Sequence, residues 1–283
     1  MEISVSAAEL ASRRLMIGTP MYEGMCHGAY AAALVEIALK LGQHGVAFRL
    51  SFIVNQPTDR GRCMVIDEFL QSDCTHLLFL DADVVVRADD ILALLALQGD
   101  ASPYDVIGGS YPRKTNDWNA IHAAARAGVP PAELARYGGD MPLFVGGGEG
   151  RQVRLDEPVE VETLAAGYSM IRRATFERMI AALPELGFIP DTREAAGHQL
   201  GGFTYLFYGT RIDPVTRHLR SEDFAFCDRV HAAGMKLWLC PWMHADHIGN
   251  NRFSGTFTDA ARLRAGLASP SQTKDDHALS SAT

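Results

Sequence analysis

Thirty-four acidic against 26 basic residues in a chain of 283 leave a formal charge of −8, with 47% of positions apolar and 21% charged. This is the composition of a soluble globular protein, long enough for one large α/β domain or two small ones. The negative balance argues against general nucleic-acid binding, although a local basic groove is compatible with it.

The five cysteines (Cys26, Cys63, Cys74, Cys227, Cys240) are odd in number and form no C-x-x-C pair. That is the pattern of reduced thiols in a cytoplasm and not of a disulfide framework. Met1 to Arg14 lacks the continuous apolar core of a secretory segment, and no run approaches the ~18 apolar residues of a membrane span. The expectation is a cytoplasmic protein with no membrane span.

A short helix over Ala7 to Ser12 precedes Leu15 to Pro20, which reads as a first strand ending in a turn. Gly28 to Leu41 places Leu34, Ile37, Ala38 and Leu41 on one helical face, with Gly42 and Gly45 to end it. Val46 to Val54 alternates as a second strand, Asn55 to Asp59 is a polar loop, and Arg60 to Gln71 is a second helix. The third strand contains four consecutive large apolar residues, Leu77 to Leu80, too few for a membrane and right for a strand buried on both faces. Strand, helix, strand, helix, strand implies right-handed crossovers and a mostly parallel, Rossmann-like sheet.

Asp89 is a candidate N-cap for the amphipathic run Ile91-Leu92-Leu94-Leu95. Asp105 to Gly109 reads as a further strand with Ser110 to Lys114 at its exit. Asn116 to Gly150 reads as a loop-rich connector; its run Gly146-Gly147-Gly148 lacks the strand-to-helix context of a phosphate-cradling loop. Val159 to Leu164 and Gly167 to Ile171 are strand-like, Ala174 to Leu183 helical, Pro184 to Gly202 irregular, and Phe203 to Tyr208 a short aromatic strand. Ser221 to Ala233 is a helix and Met235 to Leu239 a strand. From Leu267 onward the tail has no apolar period and is expected to be disordered.

Three constellations carry chemistry. The buried strand ends in Asp81-Ala82-Asp83, at the carboxyl end of a sheet strand, where ligands bind in open α/β sheets. With this acidic content about four acid-x-acid triplets are expected by chance, so the triplet alone is weak. Its place after a buried apolar strand is what counts, because two aspartates there are costly unless a cation meets them. A hard divalent metal carrying a nucleotide diphosphate suits that need.

Next, Ser221-Glu222-Asp223 opens a helix with a good N-cap and two acids in the first turn, which the helix dipole alone would favour. A carboxylate held there stays ionised, as a general base must before it accepts a proton. Third, Pro241 to Gly249 contains His244 and His247, either able to complete the shell begun by Asp83. A zinc site using Cys240, His244, Asp246 and His247 is the rival, but paired ligands on separated segments are missing.

In this order and spacing the three constellations resemble a GT-A-type glycosyltransferase, similar to the large inverting family that includes cellulose, hyaluronan and bacterial surface-polysaccharide synthases. The resemblance spans roughly residues 15 to 250 and rests on several segments. They are Gly18-Thr19-Pro20, Leu78-Phe79-Leu80-Asp81-Ala82-Asp83, Gly167-Tyr168-Ser169-Met170-Ile171, Ser221-Glu222-Asp223 and His247-Ile248-Gly249. A Gln-x-x-Arg-Trp segment is missing, which sets the chain apart from the processive synthases.

The resemblance implies a single catalytic domain over 1–266, with a nucleotide-sugar half at about 15–115 and an acceptor half, including a smaller sheet region, at about 116–266. A UDP- or GDP-sugar donor would lie with its base near Thr19, Pro20 and Asn55. Its diphosphate would sit on Mn²⁺ or Mg²⁺ held by Asp83 and His247, with Asp81 at the ribose or at the metal. Arg60 and Arg62 would reach the donor, Gly167, Tyr168 and Glu222 the acceptor side. Asp223 would deprotonate the hydroxyl of a carbohydrate or other acceptor, which attacks the anomeric carbon with inversion. Two other readings share the sheet: a sugar-phosphate nucleotidyltransferase, which should carry a basic Gly-rich loop where Thr19 to Gly24 has no Lys or Arg, and a non-catalytic nucleotide-sugar-binding module.

Overall fold

The strand His76–Leu80 has all five residues buried and lies inside a seven-stranded sheet. A computed structural model of the protein describes residues 5–142, 154–190, 194–195, 198–199 and 203–266. The sheet order is Ala47–Val54, Arg14–Met21, His76–Leu80, Tyr168–Arg172, Val106–Gly108, Leu237–Leu239, Val159–Val161. Five of these strands run the same way, and Tyr168–Arg172 and Val159–Val161 run against them. The fold is α/β, with a mostly parallel central sheet flanked by helices, as the strand–helix alternation predicts.

Alternation along the central strands divides the core. Leu15, Ile17, Leu78 and Leu80 pack with Tyr30, Ile37, Leu41 and Leu94 from the helices Gly28–Gln43 and Ala88–Leu97. Met16, Leu77 and Phe79 pack on the opposite face with Val65, Phe69, Phe176 and Phe226, from Thr58–Gln71, Arg173–Ala182 and Glu222–Ala232. With helices on both faces, a continuous apolar run is what such a strand requires. Among the described residues no helix is long and apolar enough to cross a membrane, and all five cysteines are free.

Several boundaries differ from the sequence expectation. Gly42 lies inside the helix that runs to Gln43, and Gly45, at φ +69°, makes the turn out of it. Asp89 is not the N-cap of Ala88–Leu97: Arg87 holds that position, and Asp89 pairs with Lys40 at 2.7 Å from within the first turn. Ser221 occupies its N-cap position without a side-chain capping bond.

The segment expected to be loop-rich is partly ordered. Asp117 caps the helix Trp118–Arg126 by accepting from the Ala120 N–H at 2.9 Å, and Pro131–Tyr137 forms a 3-10 turn. Ala124 is the one residue this helix buries completely. Phe257–Arg264 adds a helix that the sequence reading did not include. The glycine run at 146–148 and the tail from 267 lie outside the described residues.

What positions the site is a second, three-stranded sheet. Val84–Val86 pairs antiparallel with Ala245–Ile248, which pairs with Arg252–Gly255. It hangs from the carboxyl end of the central strand through the turn at Asp81, where the Val84 N–H donates to the Asp81 carbonyl at 3.0 Å.

Candidate active site

The ladder decides which histidine meets the strand end. His247 stands opposite Val84, and the Ile248 N–H donates to the Asp83 carbonyl at 2.8 Å. His247 Nε2 therefore lies 3.4 Å from Asp83 Oδ1. Its Nδ1 is 2.8 Å from the Pro112 carbonyl, to which it can only donate. With Nδ1 so engaged, Nε2 is the ring atom turned toward Asp83. Donation from Nδ1 to a carbonyl is also the usual support of a metal-ligating imidazole. Tyr111 packs edge-on against the same ring, centroids 5.0 Å apart.

The other oxygen of Asp83 pairs with the Lys114 ammonium. His247 and Lys114 together hold the Asp83 carboxyl below the usual carboxylate range, against the opposing effect of burial. The Lys114 stem passes close to Gly249, where a Cβ would lie 3.0 Å from its Cδ. Among the described residues no three His, Cys, Asp or Glu side chains cluster closely enough to hold a metal. Asp83 and His247 could supply two protein donors to an ion that completes its shell with water and phosphate oxygens.

Asp81 has a different partner. Arg62 Nη2 approaches its two carboxylate oxygens at 3.1 and 3.3 Å. Arg62, from the helix Thr58–Gln71, is 2% exposed and lies against the rings of Phe79 and Tyr208, 5.4 and 5.5 Å from their centroids. Its Nε is 3.9 Å from Asp223 Oδ1, so one guanidinium spans both carboxylates. Burial lowers its proton affinity, but Asp81 and Asp223 outweigh that and raise it above the ordinary value. Gly167 makes this packing possible: a Cβ there would fall 2.1 Å from Asp81 Oδ2 and 2.6 Å from the Tyr111 hydroxyl. The Gly167 carbonyl also accepts from the Asp81 N–H at 3.1 Å.

Asp223, in the first turn of Glu222–Ala232, accepts from the Ala166 N–H at 3.4 Å. Burial pushes its carboxyl up to about 6, more than Arg62 pulls it down, with Glu222 and Asp81 adding to the rise. A carboxylate with that proton affinity is ionised at neutral pH and is a stronger base than an ordinary aspartate.

Asp81, Asp83, Lys114, Glu222, Asp223 and His247 line one open cleft, with Pro20, Tyr22, Gln56 and Arg62 completing its walls. Other expected residues lie elsewhere. Thr19 is completely buried, its hydroxyl 2.5 Å from that of Tyr30, so it stands behind the cleft and not in it. Asn55 is exposed at φ 55°, its N–H donating to the Tyr22 carbonyl beside the cleft wall. Arg60 points to a different pocket, with Phe188 and Leu206. Tyr168 is buried, its hydroxyl 3.5 Å from Met243 Sδ, so Gly167 meets the site and its neighbour does not. His244 turns to Asp246 at 3.1 Å, away from Asp83. Lys114 and Tyr111 were given no role in the sequence; their place at the carboxyl end of Val106–Gly108, where sheet ligands bind, was the available signal.

No family model matches this chain, and no curated protein does. Among solved structures it is similar to A197 from STIV, at 16% identity over 87% of this chain and 91% of that one, with a TM-score of 0.43. It is similar also to GalNAc-T7 with UDP, GalNAc and Mn²⁺, at 13% identity over 89% of this chain and 47% of that one, with a TM-score of 0.40. Likenesses this weak decide neither fold nor function.

Proposed function

We propose that the protein is a metal-dependent glycosyltransferase that moves a sugar from a nucleoside diphosphate-sugar to an acceptor hydroxyl with inversion. One observation carries the reading: the Asp83–His247 pair and the Asp223 carboxylate face the same cleft at the carboxyl end of the central strand. Asp83 and His247 would hold a divalent cation, which would supply Lewis-acid stabilisation to the departing diphosphate. Arg62 holds Asp81 and Asp223 in place from beneath, and Lys114 offers a second positive charge at the cleft. Asp223 takes the proton of the acceptor hydroxyl as its oxygen bonds to the anomeric carbon. The bond from that carbon to the diphosphate oxygen breaks, and its electron pair leaves with the nucleoside diphosphate.

Calorimetry of UDP and GDP binding tests this. Binding is expected to be lost with EDTA and restored by Mn²⁺ or Mg²⁺. His247→Ala is expected to raise the metal concentration required, and His244→Ala to leave it unchanged, because His244 faces Asp246. Equal nucleotide affinity in EDTA and in Mn²⁺ would remove the metal from the reading.

A further inference from the structure

Both oxygens of Asp83 are taken. Oδ1 lies 3.4 Å from His247 Nε2, and Oδ2 receives the Lys114 ammonium. The ammonium therefore stands on the carboxylate assigned above to the metal. Like charges drawn to one carboxylate repel each other, so Lys114 must leave Asp83 as a divalent cation arrives.

The lysine is free to make that move. It lies where the pairing of Arg113–Asn116 with Gly139–Asp140 slips register, and such irregularities re-aim side chains beside ligand sites. Its side chain is 40% exposed, and an ion pair this open to water exchanges readily. The stem runs past Gly249, where the missing side chain leaves it room: a Cβ there would come within 3.0 Å of its Cδ.

The charges of the cleft select a destination. Glu23, Asp81, Asp83, Glu222 and Asp223 line it, against two full cations among the described residues, Arg62 and Lys114. Arg62 is buried and already spans Asp81 and Asp223, so it cannot turn toward a ligand. A diphosphate brings further negative charge into this acidic site, and that charge grows as the sugar leaves. Lys114 is the exposed cation in the same cleft, and a lysine ammonium is a point charge suited to phosphate. Glu222 is the competing destination.

We propose that Lys114 has two positions: on Asp83 while the metal is absent, and on the diphosphate of the donor once the metal has displaced it. The inference rests on the glycosyl-transfer reading above and adds a phosphate-binding residue to it.

Lys114→Met removes the charge and keeps much of the stem. Calorimetry on the wild-type chain and the variant follows Mn²⁺ alone, then UDP and GDP at saturating Mn²⁺. Opposite signs are expected: Mn²⁺ alone binds about two- to fivefold more tightly to the variant, and the nucleoside diphosphate about tenfold more weakly. Inorganic pyrophosphate with Mn²⁺ is expected to weaken with them, because the contact is to phosphate and not to the base. Lys114→Arg, which restores a cation, is expected to return both affinities toward the wild-type values. If both affinities fall in Lys114→Met, the lysine only props Asp83; if both rise, it is only a competitor for the metal. Unchanged nucleotide affinity would send the ammonium to Glu222 or to water. Each of these three results overturns the proposal and leaves metal-dependent nucleotide binding, and the transfer reading, standing. A wild-type chain that binds neither UDP nor GDP with any metal would remove the transfer reading, and the second position of Lys114 with it.

Discussion

Asp81 and Asp83 leave the same strand two residues apart and meet opposite kinds of cation. Asp81 faces the guanidinium of Arg62, which is wedged between two aromatic rings, closed to solvent and shared with Asp223. Asp83 faces the ammonium of Lys114, and both side chains are more than a third exposed. The first arrangement is built into the core, where taking away one charge strands another. The second is open to water, where an ion pair contributes little and exchanges readily. A cleft that must hold its carboxylates in place and still admit a cation and a diphosphate needs both kinds of pairing.

The largest effect should come from the buried side. Arg62→Met leaves Asp81 and Asp223 facing each other without their common cation, and is expected to cost about 3–5 kcal/mol of stability in urea unfolding. A loss below about 1 kcal/mol would mean that the guanidinium holds nothing together.

Asp223→Asn keeps the shape of the side chain but cannot take a proton. Turnover is expected to fall about 10²–10⁴-fold, roughly 3–5 kcal/mol of barrier, with nucleotide affinity unchanged. Near-normal turnover, or a product anomer retained by NMR, would remove Asp223 as the base. The pH profile sharpens the same point. The carboxyl is raised from 3.8 to about 6, and only its ionised form accepts a proton. Activity should therefore be half-maximal near pH 6, nearly full by about pH 7, and fall toward tenfold per unit well below pH 6. An acid limb near pH 4 would mean that burial does not govern this group.

The smallest effect belongs to the open side. Lys114→Met is expected to change stability by no more than about 1 kcal/mol. It is also expected to tighten Mn²⁺ binding about two- to fivefold, because Asp83 loses a competing cation. Weaker Mn²⁺ binding in this variant would show that Lys114 supports the metal position and does not compete for it.

By itself the sequence determined the sheet and where its carboxyl end lies. Leu77 to Leu80 can be satisfied only between two apolar layers, and a turn of two aspartates must follow at the rim. Local pattern also placed Asp223 in the first turn of its helix. The prolines and glycines around Trp118–Arg126 mask that helix in the sequence; its apolar residues lie on one face, but only Ala124 is completely buried. Partner choice was decided only in three dimensions. His247 rather than His244 reaches Asp83 because an antiparallel register sets it opposite Val84. Arg62 lies one helix before the central strand in the chain, and nothing local tells a solvated helix-start cation from one buried under two carboxylates. Thr19 and Tyr168 sit at strand positions whose side chains point into the core, and a period of two reveals alternation without saying which face holds the cleft.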